Sequence, residues 1–365
     1  MGGASVRVAA LVPYPAGTTP SQRFRLEQWA PLLAAEEIRL ELMPFADRPL
    51  MERLYARGRT ASKAAGMLGA CLARLVAVPA VRRADVVVVH RAACLAGPAL
   101  VERLLAGLGA RIVYDFDDAI YVLHTSAANR RFGRLKVPHK TRALCRLAAH
   151  VVVANEGLAE WARPLNPEVS VVPSSVDLER FRPASQEARF GPLIIGWTGS
   201  STSLTHLESF APVLRAILSH LPAELHVHCD REPRLLDVPY VFYRWSSADE
   251  PEVLARFDVG IMPMPDDPWA RGKSAMKALL CMAMGKPVVA SPVGTNLELI
   301  VHEANGMLAR TPEEWFACLE RLASDPGLRE RLGQAGRETV EARYSARRSA
   351  SLFAGVLRRV AAGGG

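Results

Sequence analysis

Three carboxylates fall within four residues at Asp115, Asp117 and Asp118, in the run YDFDDAIY. Carboxylates this close repel one another, so the cluster requires a use: a metal ion, a hydroxyl group that donates to it, or nearby arginines. A second cluster is cationic. Lys273 and Lys277 are two of the six lysines in the chain and stand four residues apart. On a helix that spacing shares one face, and two cations beside a helix N-terminus suit a diphosphate. A solvated lysine pair on an ordinary surface helix is the alternative. Two glycine-bearing loops complete the inventory. In GWTGSSTS the amides of Gly196 to Ser201 can cradle phosphate oxygens, and in PAGTTPSQRFR, Gly17 sits where a first strand turns into a first helix. Ser21, Arg23 and Arg25 follow that turn. Arg23 is placed either at the site or on the solvent side of the helix, and Arg25 is expected to face solvent.

The elements that must position these groups alternate along the chain. Apolar runs at 6–14, 85–90, 110–121, 150–154, 192–196, 224–230, 259–264 and 287–291 read as buried parallel strands. Helical stretches separate them, among them one from about Lys273 to Met284 with Gly285 as its C-terminal cap. Strand–helix alternation of this kind makes a parallel sheet with ligands outside the carboxyl ends of the strands. The first turn lacks GxGxxG, so a dinucleotide fingerprint is absent.

At 365 residues the chain can form two domains, each burying its own core. Half of it is hydrophobic and 22% charged, which excludes a disordered chain. The net charge of +8 favours anionic partners: nucleotide sugars, phospholipid surfaces or nucleic acid. Residues 54–84 contain no acid but carry Arg57, Arg59, Lys63, Arg74, Arg82 and Arg83; a second basic segment holds Arg130, Arg131, Arg134, Lys136, Lys140, Arg142 and Arg146. Together they predict a positive face suited to anionic lipid, with a solvated basic surface as the alternative. Aromatic residues do not interleave with these charges, which argues against nucleic acid. The six cysteines lack CxxC spacing and are expected as reduced thiols of a cytoplasmic protein. No signal peptide or transmembrane helix is predicted, and no metal ligand set is expected.

Several runs carry a family resemblance: YDFDDAIY, Gly272-Lys273 with Lys277, MAMGKPVVASPVG at Met282–Gly294, Asn305–Gly306, and VPSSVDLERFRP in the middle of the chain. Together they resemble family 4 glycosyltransferases. The resemblance implies an α/β protein of the GT-B fold, two Rossmann-like domains with parallel sheets facing a central cleft. It implies a first, acceptor-side domain over 1–183, a linker over 184–191 and a donor domain over 192–344, with a final helix (345–361) crossing back to the first. The implied donor-side residues are Gly17, Gly196, Trp197, Thr198, Gly199, Ser200, Arg244, Trp245, Lys273, Lys277, Gly294, Thr295, Asn296 and Glu298. Ser21, Arg23, Asp115 and Asp118 would line the acceptor side, with Asp117 where many relatives carry a histidine. Lys273, Lys277 and Asp117 are the implied catalytic residues.

Such an enzyme retains anomeric configuration, needs no metal or other cofactor, and uses a nucleotide-diphosphate sugar and a hydroxyl acceptor as substrates. It is expected in the cytoplasm, peripheral to the inner face of the membrane. Two departures stand out. The family's glutamate pair falls at Gly272 and Leu280, and the arginine and lysine that relatives carry after the first strand of the donor domain are replaced around Trp197, Thr198 and Ser200. These departures keep two alternatives open, a sugar-nucleotide-binding protein without transfer and a GT-B nucleotide-sugar epimerase.

Overall fold

A computed structural model describes residues 5–56, 60–122, 138–183 and 191–363. The chain folds as two units, Met1–Ser174 with Ala346–Gly365, and Ser175–Ser345. Each is built on a parallel sheet of six described strands.

In the first unit the strands are β1 (Val6–Val12), β2 (Ile38–Pro44), β3 (Val86–His90), β4 (Ile112–Phe116), β5 (His150–Val153) and β6 (Val169–Val171). Their order is β2-β1-β3-β4-β5-β6. The valine run of β3 explains why this strand is central. Val87 and Val89 enter the core on one face with Tyr114 and Phe116, whereas Val86 and Val88 enter the core on the other with Val113 and Val152. A strand buried on both faces is the expected habit of a parallel sheet. The second of these cores is closed by the helix Ala346–Ala361, whose Phe353 ring lies 5.3 Å from that of Trp29. The carboxyl ends of β1 and β3 meet at the point where strand order reverses, which is where open parallel sheets present ligand crevices.

The second unit repeats the plan with β7 (Leu193–Gly199), β8 (Ala223–Cys229), β9 (Tyr240–Arg244), β10 (Val259–Met262), β11 (Val288–Ala290) and β12 (Met307–Leu308), ordered β12-β11-β10-β7-β8-β9. Its reversal point lies between β7 and β10. Gly196 is required at the heart of β7, because a Cβ there would sit 2.0 Å from the Phe257 ring.

Three expectations change. The helix expected from about Lys273 to Met284 starts only at Met276: a short helix, Pro268–Arg271, comes first and Met276–Ala283 second. Gly272 caps the first, and Ala275 starts the second in a left-handed conformation (φ 54°). Lys273 therefore lies in the connection and does not share a helix face with Lys277. The basic segments are also less uniformly exposed than their sequence suggests. Arg74 is buried and donates to the carbonyls of Ala93 and Met43, while Lys140 pairs with the buried Glu102 at 3.2 Å. Arg57, Arg59, Arg130, Arg131, Arg134 and Lys136 lie outside the described residues, as does the linker apart from Gly191. The third change concerns Arg25. It is fully buried, because an ion pair inside the first unit holds it.

Candidate functional site

The acidic cluster is satisfied by arginines. Arg25 and Asp115 are both fully buried, and Nε of Arg25 lies 3.1 Å from each carboxylate oxygen of Asp115 while Nη2 reaches Oδ1 at 2.5 Å. The remaining reach of the guanidinium goes to the Val172 carbonyl at 2.8 Å. Arg25 points inward because residues 23–27 form a π-helical turn, in which Arg23, Phe24, Arg25 and Leu26 are all buried. Wide turns of this kind recur at functional sites. Arg23 is buried too, its guanidinium 4.5 Å from the centre of the Phe24 ring.

His90 ends β3 directly across from Asp115 on β4, and its Nδ1 is 2.6 Å from Asp115 Oδ2. The opposite nitrogen, Nε2, is 2.9 Å from Ser21 Oγ, and the Ser21 hydroxyl donates to Asp117 Oδ1 at 2.7 Å. Both ring nitrogens thus face oxygen atoms. Arg91 completes the chain of contacts, with Nε 2.9 Å from Asp117 Oδ1 and Nη2 2.7 Å from Asp118 Oδ2. Its backbone is left-handed (φ 61°), held by Arg91 N–H on the Asp115 carbonyl and by the Tyr114 hydroxyl on its own carbonyl. Strained backbone of this kind persists only where neighbours fix it. Gly17 is also left-handed (φ 78°), and its N–H donates to Glu27 at 2.8 Å, closing the loop after β1.

Asp115 and Asp117 are held ionised. Burial opposes charge on Asp115, but the Arg25 charge and the His90 contact outweigh it and keep its acidity above that of a free aspartate. Burial likewise opposes charge on Asp117, and there the charges of Arg91, His90 and Arg25 together with the Ser21 hydroxyl hold the carboxyl far below the usual range. Ser21, Asp115, Asp117 and Asp118 are thus brought together as the sequence suggested. His90, Arg91 and Arg25 are the partners it did not identify. The only sequence signal for them was the repulsion among the aspartates, which called for cations without naming them.

In the second unit the groups converge less completely. Lys277 lies beside the loop after β7, since a Cβ at Gly199 would stand 2.8 Å from its Cε, and its Nζ is 5.5 Å from the Trp197 ring centre. Lys273 Nζ is 3.1 Å from the ring centre of Trp269, and its carbonyl accepts the Thr295 hydroxyl at 2.6 Å. Gly294 (φ 54°) makes that possible: a Cβ there would fall 2.5 Å from the Arg271 carbonyl oxygen. Asn296 is buried and donates to the Ser291 carbonyl at 2.9 Å, whereas Glu298 is exposed.

Gly196, Trp197 and Thr198 belong to β7 itself. Trp197 is in the core and Thr198 contacts His228 at 3.3 Å, so these three do not form part of an open loop. Within the loop proper, Ser201 N–H and Oγ contact the Asp230 carboxylate at 2.5 and 2.8 Å, and Ser200 Oγ lies 2.7 Å from Thr202 Oγ1. Arg244 reaches the Asp230 carbonyl at 3.5 Å, and Trp245 donates to Glu250 at 3.1 Å. Leu280 is packed in the core and Gly272 is buried, so neither departure from the glutamate pair leaves a carboxylate behind.

Residues 193–325, most of this unit, match the family described as glycosyl transferases group 1. An uncharacterized glycosyltransferase of Methanocaldococcus jannaschii is 34% identical over 90 residues, which are 24% of this chain and 22% of that protein. Among solved structures, a glycosyltransferase from Rickettsia africae matches with a TM-score of 0.68 and 15% identity, over 98% of both chains. Sucrose-phosphate synthase from Thermosynechococcus elongatus matches at 0.64 and 14%, over 98% of this chain and 100% of that one. Anabaena HepE in complex with UDP and glucose matches at 0.64 and 15%, over 97% and 99%. At such identities the likeness is one of fold, and that fold is GT-B.

The buried ion pair yields a direct test. Removing one partner of such a pair leaves an uncompensated charge, so Arg25→Met is expected to cost about 3–5 kcal/mol of first-unit stability at neutral pH. Depressed carboxylates stabilise fully above the unfolded value, near pH 4, and lose that contribution as pH falls through their folded values. Urea unfolding of the wild-type protein should therefore weaken steadily from about pH 5 downwards, and Asp115→Asn should flatten that slope. A wild-type profile parallel to that of the variant would contradict the assignment.

Proposed function

We propose that this protein transfers a sugar from a nucleoside diphosphate donor to a hydroxyl acceptor, with retention of configuration and without a metal. The observation that carries the reading is Lys277 beside the loop after β7, at the strand-order reversal of the unit that matches the family. A departing diphosphate develops negative charge, and fixed cations at that point lower the barrier. Lys277 supplies one, and Lys273, tethered through Thr295, supplies the second. In front-face transfer the departing phosphate itself takes the acceptor proton, so no side-chain nucleophile is required. Asp117 has the chemistry to orient the incoming hydroxyl: Ser21 and Arg91 both fix its Oδ1, and an ionised carboxylate has further lone pairs with which to accept. The other aspartates serve mainly to hold Asp117 through His90 and Arg91.

The uridine nucleotide named in the HepE complexes makes UDP the first probe. A charge-assisted contact to phosphate is worth about 1.5–3 kcal/mol, so Lys277→Ala should weaken UDP binding by roughly tenfold or more in calorimetry. Lys273→Ala should weaken it less, since that side chain rests on Trp269. Unchanged affinity in both folded variants would remove the donor assignment. The substitutions at Gly272 and Leu280 favour one other reading, a protein that binds nucleotide sugar without transferring it, which would bind UDP normally and never release it from a sugar donor.

A membrane surface is the partner we infer for the first unit. No described helix is long and apolar enough to cross a bilayer. The helix Thr60–Val76 nonetheless exposes Leu68, Leu72, Leu75 and Val76 at 63%, 54%, 38% and 80%, at the spacing of one helical face. Arg82 and Arg83 are exposed just beyond it, and its whole sequence is free of acids. Apolar residues flanked by cations match an anionic lipid surface. Co-sedimentation with anionic vesicles should fall steeply between low and physiological salt, and Leu68→Gln with Leu72→Gln should reduce it at low salt. Equal recovery with neutral and anionic vesicles would contradict the lipid partner.

A further inference from the structure

A short segment after β3 is gripped by buried charged side chains. Ala93 N–H donates to Glu102 Oε1 at 3.0 Å, and the Ala93 carbonyl accepts from Arg74 Nε at 3.2 Å. The Cys94 carbonyl accepts from Lys140 Nζ at 3.0 Å, and that ammonium also pairs with Glu102 Oε1 at 3.2 Å. The three charged residues come from three helices, Thr60–Val76, Leu100–Gly107 and Pro138–Leu147. Glu102 is fully buried, and Arg74 and the Lys140 side chain are nearly so. Removing such charges from water is costly, and well-packed apolar side chains often serve stability as well or better. That cost calls for a use at the segment they hold.

The segment begins two residues after Arg91, whose backbone is left-handed (φ 61°). A residue with a side chain keeps that conformation only where the chain on both sides of it is fixed. On the near side, Arg91 N–H is held by the Asp115 carbonyl and Ala92 N–H by the His90 carbonyl, while the Tyr114 hydroxyl holds the Arg91 carbonyl. On the far side, the chain is fixed at Ala93 and Cys94 by Glu102, Arg74 and Lys140. Release of that far side would let the backbone at Arg91 relax, and the guanidinium would swing away from Asp117 and Asp118, to which it donates at 2.9 and 2.7 Å. We propose that Glu102 and Lys140 are positioning residues for Asp117, acting through the Ala93–Cys94 backbone and the Arg91 guanidinium. Their effect on Arg91 follows from these contacts, whereas any effect on turnover rests on the glycosyl-transfer reading.

The test compares the wild-type chain with Glu102→Gln and with a double variant, Glu102→Met with Lys140→Met. The double variant replaces the buried pair by apolar side chains of similar length, so it keeps the fold while removing the grip. Nuclear magnetic resonance reads hydrogen exchange at Arg91 Nε–H and, as an internal reference, at Arg25 Nε–H, which Asp115 holds without help from the segment. In both variants exchange at Arg91 should quicken by roughly tenfold or more, as for the loss of a charge-assisted hydrogen bond, while Arg25 stays within about twofold. On the same preparations, UDP release from a UDP-sugar should slow by roughly tenfold with UDP affinity unchanged. Unchanged exchange at Arg91 in the folded variants would overturn the proposal, whatever happens to the melting temperature. So would equal quickening at both arginines, which marks general loosening, or full turnover in a variant whose Arg91 has loosened. A wild-type protein that releases no UDP from any donor would count against glycosyl transfer, and the exchange rates would still decide whether the pair positions Arg91.

Discussion

The ion pair between Arg25 and Asp115 is the contact on which the first unit's site depends. Both groups are fully removed from solvent. The desolvation cost of such a pair is recovered only when geometry is good and the spare hydrogen-bonding capacity is used. Here it is used: His90 takes the second Asp115 oxygen, and the Val172 carbonyl takes part of the guanidinium. That arrangement fixes the imidazole, the imidazole fixes Ser21, and Ser21 with Arg91 fixes Asp117. A carboxylate at the mouth of a parallel sheet is thereby held by partners from three separate parts of the chain.

The second unit achieves positioning by backbone means. Gly294 approaches the Arg271 carbonyl more closely than any side-chain-bearing residue allows, and Thr295 then ties down Lys273. Ala275 adopts a left-handed conformation to start the helix that carries Lys277. Arg91 in the first unit is left-handed as well. Arg91 and Ala275 each stand within two residues of a proposed functional side chain, and such strain costs on the order of 1–3 kcal/mol. Both sites thus spend stability on aim, one through buried charge and the other through bent backbone.

These devices explain what could and could not be read from the sequence. The valine runs of β3 and β5 and the apolar β11 were legible because central parallel strands are apolar on both faces. The aspartate cluster was legible because its repulsion demands compensation. Arg25 was not: a regular helix would turn it away, and the π-helical turn that turns it inward leaves no mark on residue type. The break before Lys277 was hidden for a similar reason, since an alanine gives no hint of positive φ. Gly196, Trp197 and Thr198 looked like loop because glycine and threonine often are, whereas the Phe257 ring claims the space at Gly196 and keeps the strand running. Long-range contacts decided each of these, and periodicity carries no information about them.

The claim at the centre of this account is that the buried network presents Asp117 to an acceptor while the nucleotide is held in the second unit. The direct measurement is UDP release from a panel of UDP-sugars by wild-type protein and by Asp117→Asn, with UDP affinity determined on the same preparations. Asparagine keeps the shape of the side chain and removes its charge. The account predicts measurable release by the wild-type protein, a variant slower by on the order of a hundredfold, and affinities that agree. Full activity in the variant, or tight UDP binding by a wild-type protein that releases none from any donor, would contradict it.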